Sequence, residues 1–452
     1  MLADLAQLVG SAHVLPGTEA RYLEDATVVR GLRGRADAVV LPGTAEEVAA
    51  VVAWCYERDV PIVTRGGGTG YAGGAVPIDG GVVLSLERLT RVRAFDPLLW
   101  RIHVEAGLPT GELRRIVRES GLFFPPDPGA AEQSQIGGNI ATNAGGPHAF
   151  KYGVTGTWVT GIEAVVPPGE LITVGGPIRK DQAGYDLKHL LIGSEGTLGI
   201  ITAAWLRLQP APEVFLPVVA FYGSTARGCD AMEAVIGSGL MPAALEYLDA
   251  GTVQAAGGSF PGGVPDGAAF MVLAEADGTE TEALQLRADL VEALGDHALD
   301  VRAPEGTAAV AELWRWRDGV SIAVAARRGG KVGEDIVVPF DRLGEAIEEV
   351  IEIGQRHGIE AVSWGHAGDG NMHANFLVDL ASPEELERAD AAAEEVFALA
   401  GQLGGSISGE HGLGWLKRGH LHLQWAPRAL TLHHAVKQAF DPKGLLNPGK
   451  KV

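Results

Sequence analysis

Residues 64–74 read Thr64-Arg65-Gly66-Gly67-Gly68-Thr69-Gly70-Tyr71-Ala72-Gly73-Gly74, directly after the apolar strand Pro61-Ile62-Val63. They contain a formal G-x-G-x-x-G from Gly68 to Gly73, and Glu87 lies about 20 residues on, where a dinucleotide-binding βαβ unit places its ribose acid. That unit requires a helix immediately after the glycines, with the pyrophosphate at its N-terminus. Ala75-Val76-Pro77-Ile78-Asp79-Gly80-Gly81 cannot form one, so the nicotinamide reading fails on context. What remains is a loop whose successive backbone N–H groups can ring an anion, at close range because side chains are absent.

Working outward, residues 37–63 read as strand, helix, strand. Thr44 to Glu47 forms a T-x-x-E capping box, and Val48, Val51, Val52 and Cys55 follow at the spacing of a buried helical stripe. Two more glycine-rich segments lie downstream. Ser134-Gln135-Ile136-Gly137-Gly138-Asn139-Ile140-Ala141-Thr142-Asn143-Ala144-Gly145-Gly146 sits in a loop-rich stretch and alternates small residues with hydroxyl and amide donors. Ile192-Gly193-Ser194-Glu195-Gly196-Thr197-Leu198-Gly199-Ile200-Ile201-Thr202 is a tight loop feeding a strand. Pro210, Pro212 and Pro217 mark a boundary, beyond which longer helices (223–237, 278–294, 305–326, 340–356, 383–403) alternate with strands. The expected division is 1–210, 211–425, and a closing segment 426–452 that returns to the first domain.

Glycine makes up 63 of 452 residues, about twice the usual ~7%, without a collagen period. Lys and Arg number 36 against 57 Asp and Glu, a net −21 that repels phosphate backbones and anionic membrane surfaces, so nucleic-acid binding drops out as a main function. Cys55 and Cys229 are far apart and form no C-x-x-C, against a disulfide scaffold or a cysteine zinc site. No apolar run reaches ~18 residues, and Met1-Leu2-Ala3-Asp4 has no signal-peptide character, so the expected location is cytoplasmic or peripheral to a membrane.

The most chemical stretch is His366-Ala367-Gly368-Asp369-Gly370-Asn371-Met372-His373, between two strand-like segments. Asp369-Gly370 carries hairpin turn chemistry, and folding there brings His366 and His373 within one ion's reach. His373 and Asn375 share a strand face. Ser408-Gly409-Glu410-His411-Gly412 offers a carboxylate. Two imidazoles and one carboxylate leave open positions on a divalent ion, as a catalytic metal needs, and suit zinc, manganese or iron. On the helix expected at 305–326, Arg317 and Ser321 are i, i+4, and an arginine fork there is a candidate carboxylate clamp.

Together these motifs resemble the FAD-linked D-lactate, glycolate and D-2-hydroxyglutarate dehydrogenases, flavoproteins of the vanillyl-alcohol-oxidase type. The resemblance extends from about residue 20 to the closing Phe440-Asp441-Pro442-Lys443-Gly444-Leu445-Leu446-Asn447-Pro448-Gly449-Lys450. It implies an α+β fold: a two-subdomain FAD-binding domain followed by a ferredoxin-like α+β cap domain for substrate and metal. It assigns Arg65, Gly66, Gly67, Gly68, Thr69 and Gly70 to the pyrophosphate. Pro126, Asp127, Gly137, Gly138, Asn139, Thr142, Asn143 and Gly145 would line the flavin, and Glu195, Gly199 and Ile201 its nucleotide side, with Asn447 in the closing motif. His366, His373 and Glu410 would hold the metal, His411 would abstract the proton, and Arg317, Ser321 and Asn375 would hold the substrate. Relatives with covalent flavin carry a histidine in the first loop; this chain has Tyr71, which implies non-covalent FAD.

The implied activity is oxidation of a D-2-hydroxy acid to the 2-oxo acid. An alcohol or sugar oxidase lacks the paired-histidine motif, and a non-catalytic accessory subunit has no reason to keep it. Dicarboxylate-specific relatives carry a lysine two residues before a D-x-x-x-P strand. Here that strand is Asp335-Ile336-Val337-Val338-Pro339 and the position is Gly333, with Lys331, Arg327 and Arg328 as the cations that could compensate. A small monocarboxylate is therefore expected over D-2-hydroxyglutarate. The sequence leaves open the electron acceptor, a quinone or a carrier protein, and whether the chain forms a homodimer.

Overall fold

The computed structural model describes residues 1–451, which divide into two units. The first is built from Met1–Gly145, Gly153–Ala211 and the chain from Glu410 on; the second from Gly146–Tyr152 and Pro212–Gly409.

In the first unit, strands Val14–Pro16, Ala38–Val40, Val82–Ser85 and Ile62–Arg65 form a sheet in that order, antiparallel at the first pair and parallel after it. Helix Ala45–Glu57 makes the crossover, with Val48, Val51, Val52 and Cys55 buried as the periodicity predicts. Its cap differs by one residue from a standard box. Thr44 Oγ1 accepts from Glu47 N at 3.1 Å, but the Glu47 carboxylate accepts from Gly43 N at 2.7 Å. The glycine loop thus leaves from the carboxyl end of a parallel strand, the usual ligand-binding edge of such a sheet.

A second, antiparallel sheet runs Val92–Asp96, Arg101–Glu105, Ile200–Arg207, Val159–Val166, Glu170–Gly175. Between strands Arg101–Glu105 and Val159–Val166 of that sheet, Ile136–Thr142 is a helix in a stretch whose sequence reads as loop-rich. Gly137 and Gly138 each disfavour helix by about 1 kcal/mol, but burial of Ile136 and Ile140 and an Asn139 Nδ2 bond to Thr110 Oγ1 (2.6 Å) override that preference.

The second unit is a seven-stranded antiparallel sheet in the order Asp300–Arg302, Val214–Tyr222, Phe270–Gly278, Ala244–Leu248, Ala361–His366, Asn371–Val378, Gly330–Val337. Its register puts Glu246 opposite His366, Trp364 and Asp335 opposite His373, Gly333 opposite Asn375, and Lys331 opposite Leu377. Side chains alternate along strands, so these residues share one face. Half of that face is apolar: Leu248, Leu273, Val362, Trp364 and Leu377 pack with Trp316, Val320 and Val324. The rest carries the histidines and their neighbours.

Three details correct the sequence reading. Pro217 lies inside strand Val214–Tyr222, not at a boundary; strand Asp300–Arg302 reaches only Val219, which leaves that edge open at Pro217. The expected helix over 305–326 breaks at Gly319 into Thr307–Asp318 and Val320–Ala326. The chain rejoins the first unit at Glu410 rather than 426. Residues 410–425 hold to that unit without a long helix, because Ala72 O accepts from Trp415 N and Leu416 N and the Glu195 carboxylate grips the turn before them.

Candidate active site

The three glycine segments line a single cleft in the first unit, with about 1330 Å³ of unfilled space including its mouth. Small-molecule sites typically hold ~300–1,000 Å³. Gly66, Gly67, Gly68, Thr69, Gly70, Gly137, Gly138, Asn139, Thr142, Gly145, Glu195, Gly199 and Ile201 line it, as do Glu410 and His411. Gly68 sits at φ 69°, closed to most side chains. A Cβ on Gly138 would meet nothing within 4 Å and would project into the open space. Two cleft-lining polar atoms, Thr64 Oγ1 and Gln135 Oε1, are buried without a hydrogen-bond partner among the described residues. A backbone-walled cleft with unmatched polar atoms fits a large, flat, polar cofactor.

Five residues expected at the cofactor are not in the lining. Arg65 passes behind the loop: its guanidinium donates to Glu24 O at 2.7 Å and lies where a Gly68 Cβ would be. Asn143, at φ 53°, caps helix Ile136–Thr142, and its Oδ1 accepts from Gly156 N at 2.8 Å. Asn447 ties the loops together, donating to Gly74 O and Glu195 O. Pro126 and Asp127 give way to Pro128 and Gly129. Tyr71, Ser134, Gln135 and Ala141 were missed, although the quoted motifs contain or adjoin them.

His411 faces this cleft with its ring centroid 5.0 Å from that of Tyr71, and its Nε2 is 3.6 Å from Glu410 Oε1. Gly145 leaves room for Glu410, since a Cβ there would come 2.9 Å from Glu410 Oε2. Glu195 has a second task beyond lining. Its carboxylate accepts from Leu413 N (2.9 Å), Gly414 N (2.7 Å) and Lys451 Nζ (3.0 Å), which clamps the turn that follows His411.

In the second unit the expected hairpin forms, with Gly370 left-handed at φ 68°. The ring centroids of His366 and His373 are 5.2 Å apart, with ligand nitrogens within 4.8 Å. His366 Nδ1 is 2.5 Å from Glu246 Oε1. That pairing fixes the orientation of the ring, as an outer carboxylate does for a metal-ligating imidazole. Burial alone would raise the Glu246 carboxyl, but the neighbouring His366 and Arg317 charges hold it down at about 2.

Glu246 also settles the fate of Arg317. Its Nε (2.9 Å) and Nη2 both donate to Glu246 Oε2, so the fork expected to clamp substrate is turned onto a buried acid that no motif announced. Ser321 makes no side-chain hydrogen bond among the described residues, while Asn375 lies on the histidine face. Arg327 and Arg328 are paired with Glu360 and Glu385, so neither compensates at Gly333. A second missed acid is Asp335, which accepts from Asn371 Nδ2 (2.7 Å), Ser408 Oγ (3.0 Å) and Gly409 N (2.8 Å) and anchors the chain immediately before Glu410.

Two family models match the chain, an FAD binding domain over residues 36–175 and the C-terminal domain of FAD linked oxidases over 211–451. Glycolate oxidase subunit GlcD of Bacillus subtilis is 36% identical over 92% of this chain and 88% of its own length. D-lactate dehydrogenase of Archaeoglobus fulgidus is 36% identical over 99% and 98%. The solved structure of p-cresol methylhydroxylase with substrate bound superposes with TM-score 0.81 at 20% identity, covering 100% of this chain and 96% of that one, which establishes the shared fold. A cleft walled by glycine backbone, a sheet face with paired histidines and two matched domain models converge on one assignment: the chain belongs to the FAD-linked oxidases and is an FAD-dependent oxidoreductase.

Proposed function

We propose that the protein oxidises a small D-2-hydroxy monocarboxylate, such as D-lactate or glycolate, to the 2-oxo acid, using non-covalent FAD and a divalent metal. The observation that carries this reading is that His411 lines the same cleft as the glycine segments. A general base there stands beside the cofactor, as abstraction of a hydroxyl proton requires.

His366, His373 and Glu410 would hold the metal (zinc, manganese or iron), with the chain just before Glu410 fixed by Asp335. Glu246 orients the His366 ring. When bound, FAD supplies the hydride acceptor and the metal lowers the proton affinity of the substrate hydroxyl. His411 would take up the proton of the substrate hydroxyl as general base. The first loop carries Tyr71 and no histidine of the kind that attaches flavin, which supports a non-covalent flavin. Turnover would need an external electron acceptor, a quinone or a carrier protein.

Dye-coupled turnover on a panel of D- and L-2-hydroxy acids tests the reading. D-lactate or glycolate should be used best, D-2-hydroxyglutarate less well and the L-enantiomers poorly, with flavin released intact on denaturation. His366→Ala, His373→Ala and Glu410→Ala should each lose metal and turnover but keep flavin. His411→Ala should keep both while flavin reduction slows by ~10²–10⁴-fold. Preference for the dicarboxylate would refute the substrate assignment. Full activity after exhaustive chelation would refute the metal, and unchanged flavin reduction in His411→Ala would refute the base.

A further inference from the structure

The first unit carries a surface that its glycine cleft does not use. Strands Val92–Asp96 and Arg101–Glu105 are joined by the turn Pro97-Leu98-Leu99-Trp100, with Asp96 opposite Arg101. Leu98 is 86% exposed and Leu99 51%. The turn is nonetheless pinned: Leu99 N donates to Asp96 Oδ1 at 3.1 Å, and Trp100 O accepts from Leu208 N at 2.7 Å. Trp100 sits at φ 52°, a left-handed conformation that is costly for a bulky side chain. Backbone strain is thus retained in a turn that presents leucines to water.

A cationic collar adjoins this tip. Arg101 and Arg207 stand directly opposite each other on paired strands, a like-charge arrangement that is unfavourable without an anion. Arg101 Nη1 donates to Pro177 O at 2.9 Å, which ties the hairpin to Pro177-Ile178-Arg179-Lys180. In that loop Ile178 is exposed, and Arg179 lies 5.6 Å from the centroid of a Trp100 ring. Burial and then the Arg179 charge lower Arg207 below the ordinary arginine value. Between these groups opens a cleft with about 720 Å³ of unfilled space including its mouth, lined by Arg101, Arg179 and Arg207 and by no carboxylate among the described residues. Asp96 Oδ2 takes up part of the Arg101 charge at 3.3 Å, and Asp181 turns back to Ala183 N at 3.1 Å. Arg179 and Arg207 have no ion pair among the described residues.

We propose that this tip is a membrane seat: Leu98, Leu99 and Ile178 enter the headgroup region of an anionic bilayer, and Arg101, Arg179 and Arg207 receive lipid phosphate. Arginine forks match phosphate oxygens. Three exposed aliphatic side chains on two loops make a wedge, not the broad patch of ~800 Å² per partner that a stable protein interface needs. A bilayer accepts a short apolar wedge and supplies phosphate around it. The chain's net −21 opposes such contact at long range, but charges beyond about 8 Å are largely screened at physiological ionic strength, so the local sign decides.

The flavin-loaded protein is sedimented with vesicles of phosphatidylcholine alone and of equal parts phosphatidylcholine and phosphatidylglycerol. Binding of glycerol 1-phosphate is measured in parallel by calorimetry. The protein should partition onto the mixed vesicles roughly tenfold or more above the neutral ones, and glycerol 1-phosphate, which lacks acyl chains, should bind only weakly. Leu98→Asp and Arg179→Glu should each lower partitioning onto mixed vesicles by roughly tenfold or more, while Arg179→Lys keeps most of it. Leu284→Asp, at an exposed leucine of the second unit, should match wild type. Flavin content and circular dichroism should be the same throughout. Equal sedimentation with and without phosphatidylglycerol, or unchanged sedimentation of folded Leu98→Asp and Arg179→Glu, would overturn the proposal. Tight binding of glycerol 1-phosphate without vesicle binding would overturn it too, and would make the cleft a site for a free phosphate ester.

Discussion

The two units make their sites from opposite materials. In the first, the cleft is walled by backbone, and its defining residues are those with no side chain: Gly66 to Gly70, Gly137 and Gly138. In the second, the site is a patch of side chains on a sheet face, and its defining feature is register: Glu246 against His366, Asp335 against His373, Gly333 against Asn375. A backbone site is broken by adding atoms and a side-chain site by removing them. The backbone cleft suits a cofactor of fixed shape, whereas a sheet face can be retuned one residue at a time.

The largest effect expected from this contrast is at Gly138. Its missing Cβ faces open cleft rather than neighbouring protein, so Gly138→Leu should fold and fill the space meant for the cofactor. Bound flavin should fall more than 100-fold, read from visible absorbance after desalting, while circular dichroism and metal content match wild type. Retention of stoichiometric flavin would show that the cleft is not defined by the absence of side chains at this helix.

Next comes Glu195, where a side chain works inside the backbone-built unit. Glu195→Gln replaces an acceptor facing two backbone N–H groups with one that meets one of them donor to donor. The turn after His411 should loosen. Flavin reduction should slow by about tenfold, with flavin still bound and the melting temperature nearly unchanged. A variant that lost flavin outright instead would assign Glu195 to the cofactor rather than to positioning His411.

The same contrast explains what could be read from sequence. The glycine segments, the capping at Thr44 and the Asp369-Gly370 hairpin are local, and each appears as a short run whose chemistry is complete in itself. The partners of the second site are not local. Glu246 meets a histidine 120 residues away and an arginine 71 away, Asp335 meets Ser408 and Gly409, and Lys331 meets Asn375 across a strand pair. Only strand register brings these groups together, and register is written in the whole sheet. For that reason Arg317 read as a free clamp: the acid that occupies it sits in Ala244–Leu248, a strand with no motif around it. Helix Ile136–Thr142 is hidden for the reverse reason, since tertiary burial overrides the two glycines that argue against a helix.

The smallest expected effect separates two buried lysines, one from each unit. Burial pushes both Lys450 and Lys331 down to about 7, yet their surroundings differ. Lys450 Nζ donates to Gly74 O (3.0 Å), Val76 O (2.6 Å) and Asn447 Oδ1 (2.7 Å) and so ties the first glycine loop to the chain end. Among the described residues Lys331 Nζ has one hydrogen-bond partner, Asn375, and rests over a Trp364 ring. Lys450→Met strands buried carbonyls and should destabilise by about 1–3 kcal/mol, whereas Lys331→Met removes a poorly matched cation and should leave stability unchanged or raise it by about 1 kcal/mol. The pH dependence follows from both folded values lying below the ordinary lysine value of 10.5. The unfolded chain binds the extra protons, so each lysine's contribution to stability is fullest above about pH 10.5 and declines as pH falls through about 7. Lys331→Met should therefore gain most over wild type at pH 6 and least at pH 10, in chemical denaturation of the flavin-loaded protein at each pH. A loss of stability on Lys331→Met comparable to that of Lys450→Met would place Lys331 with the structural lysines and erase the distinction between the two sites at this residue.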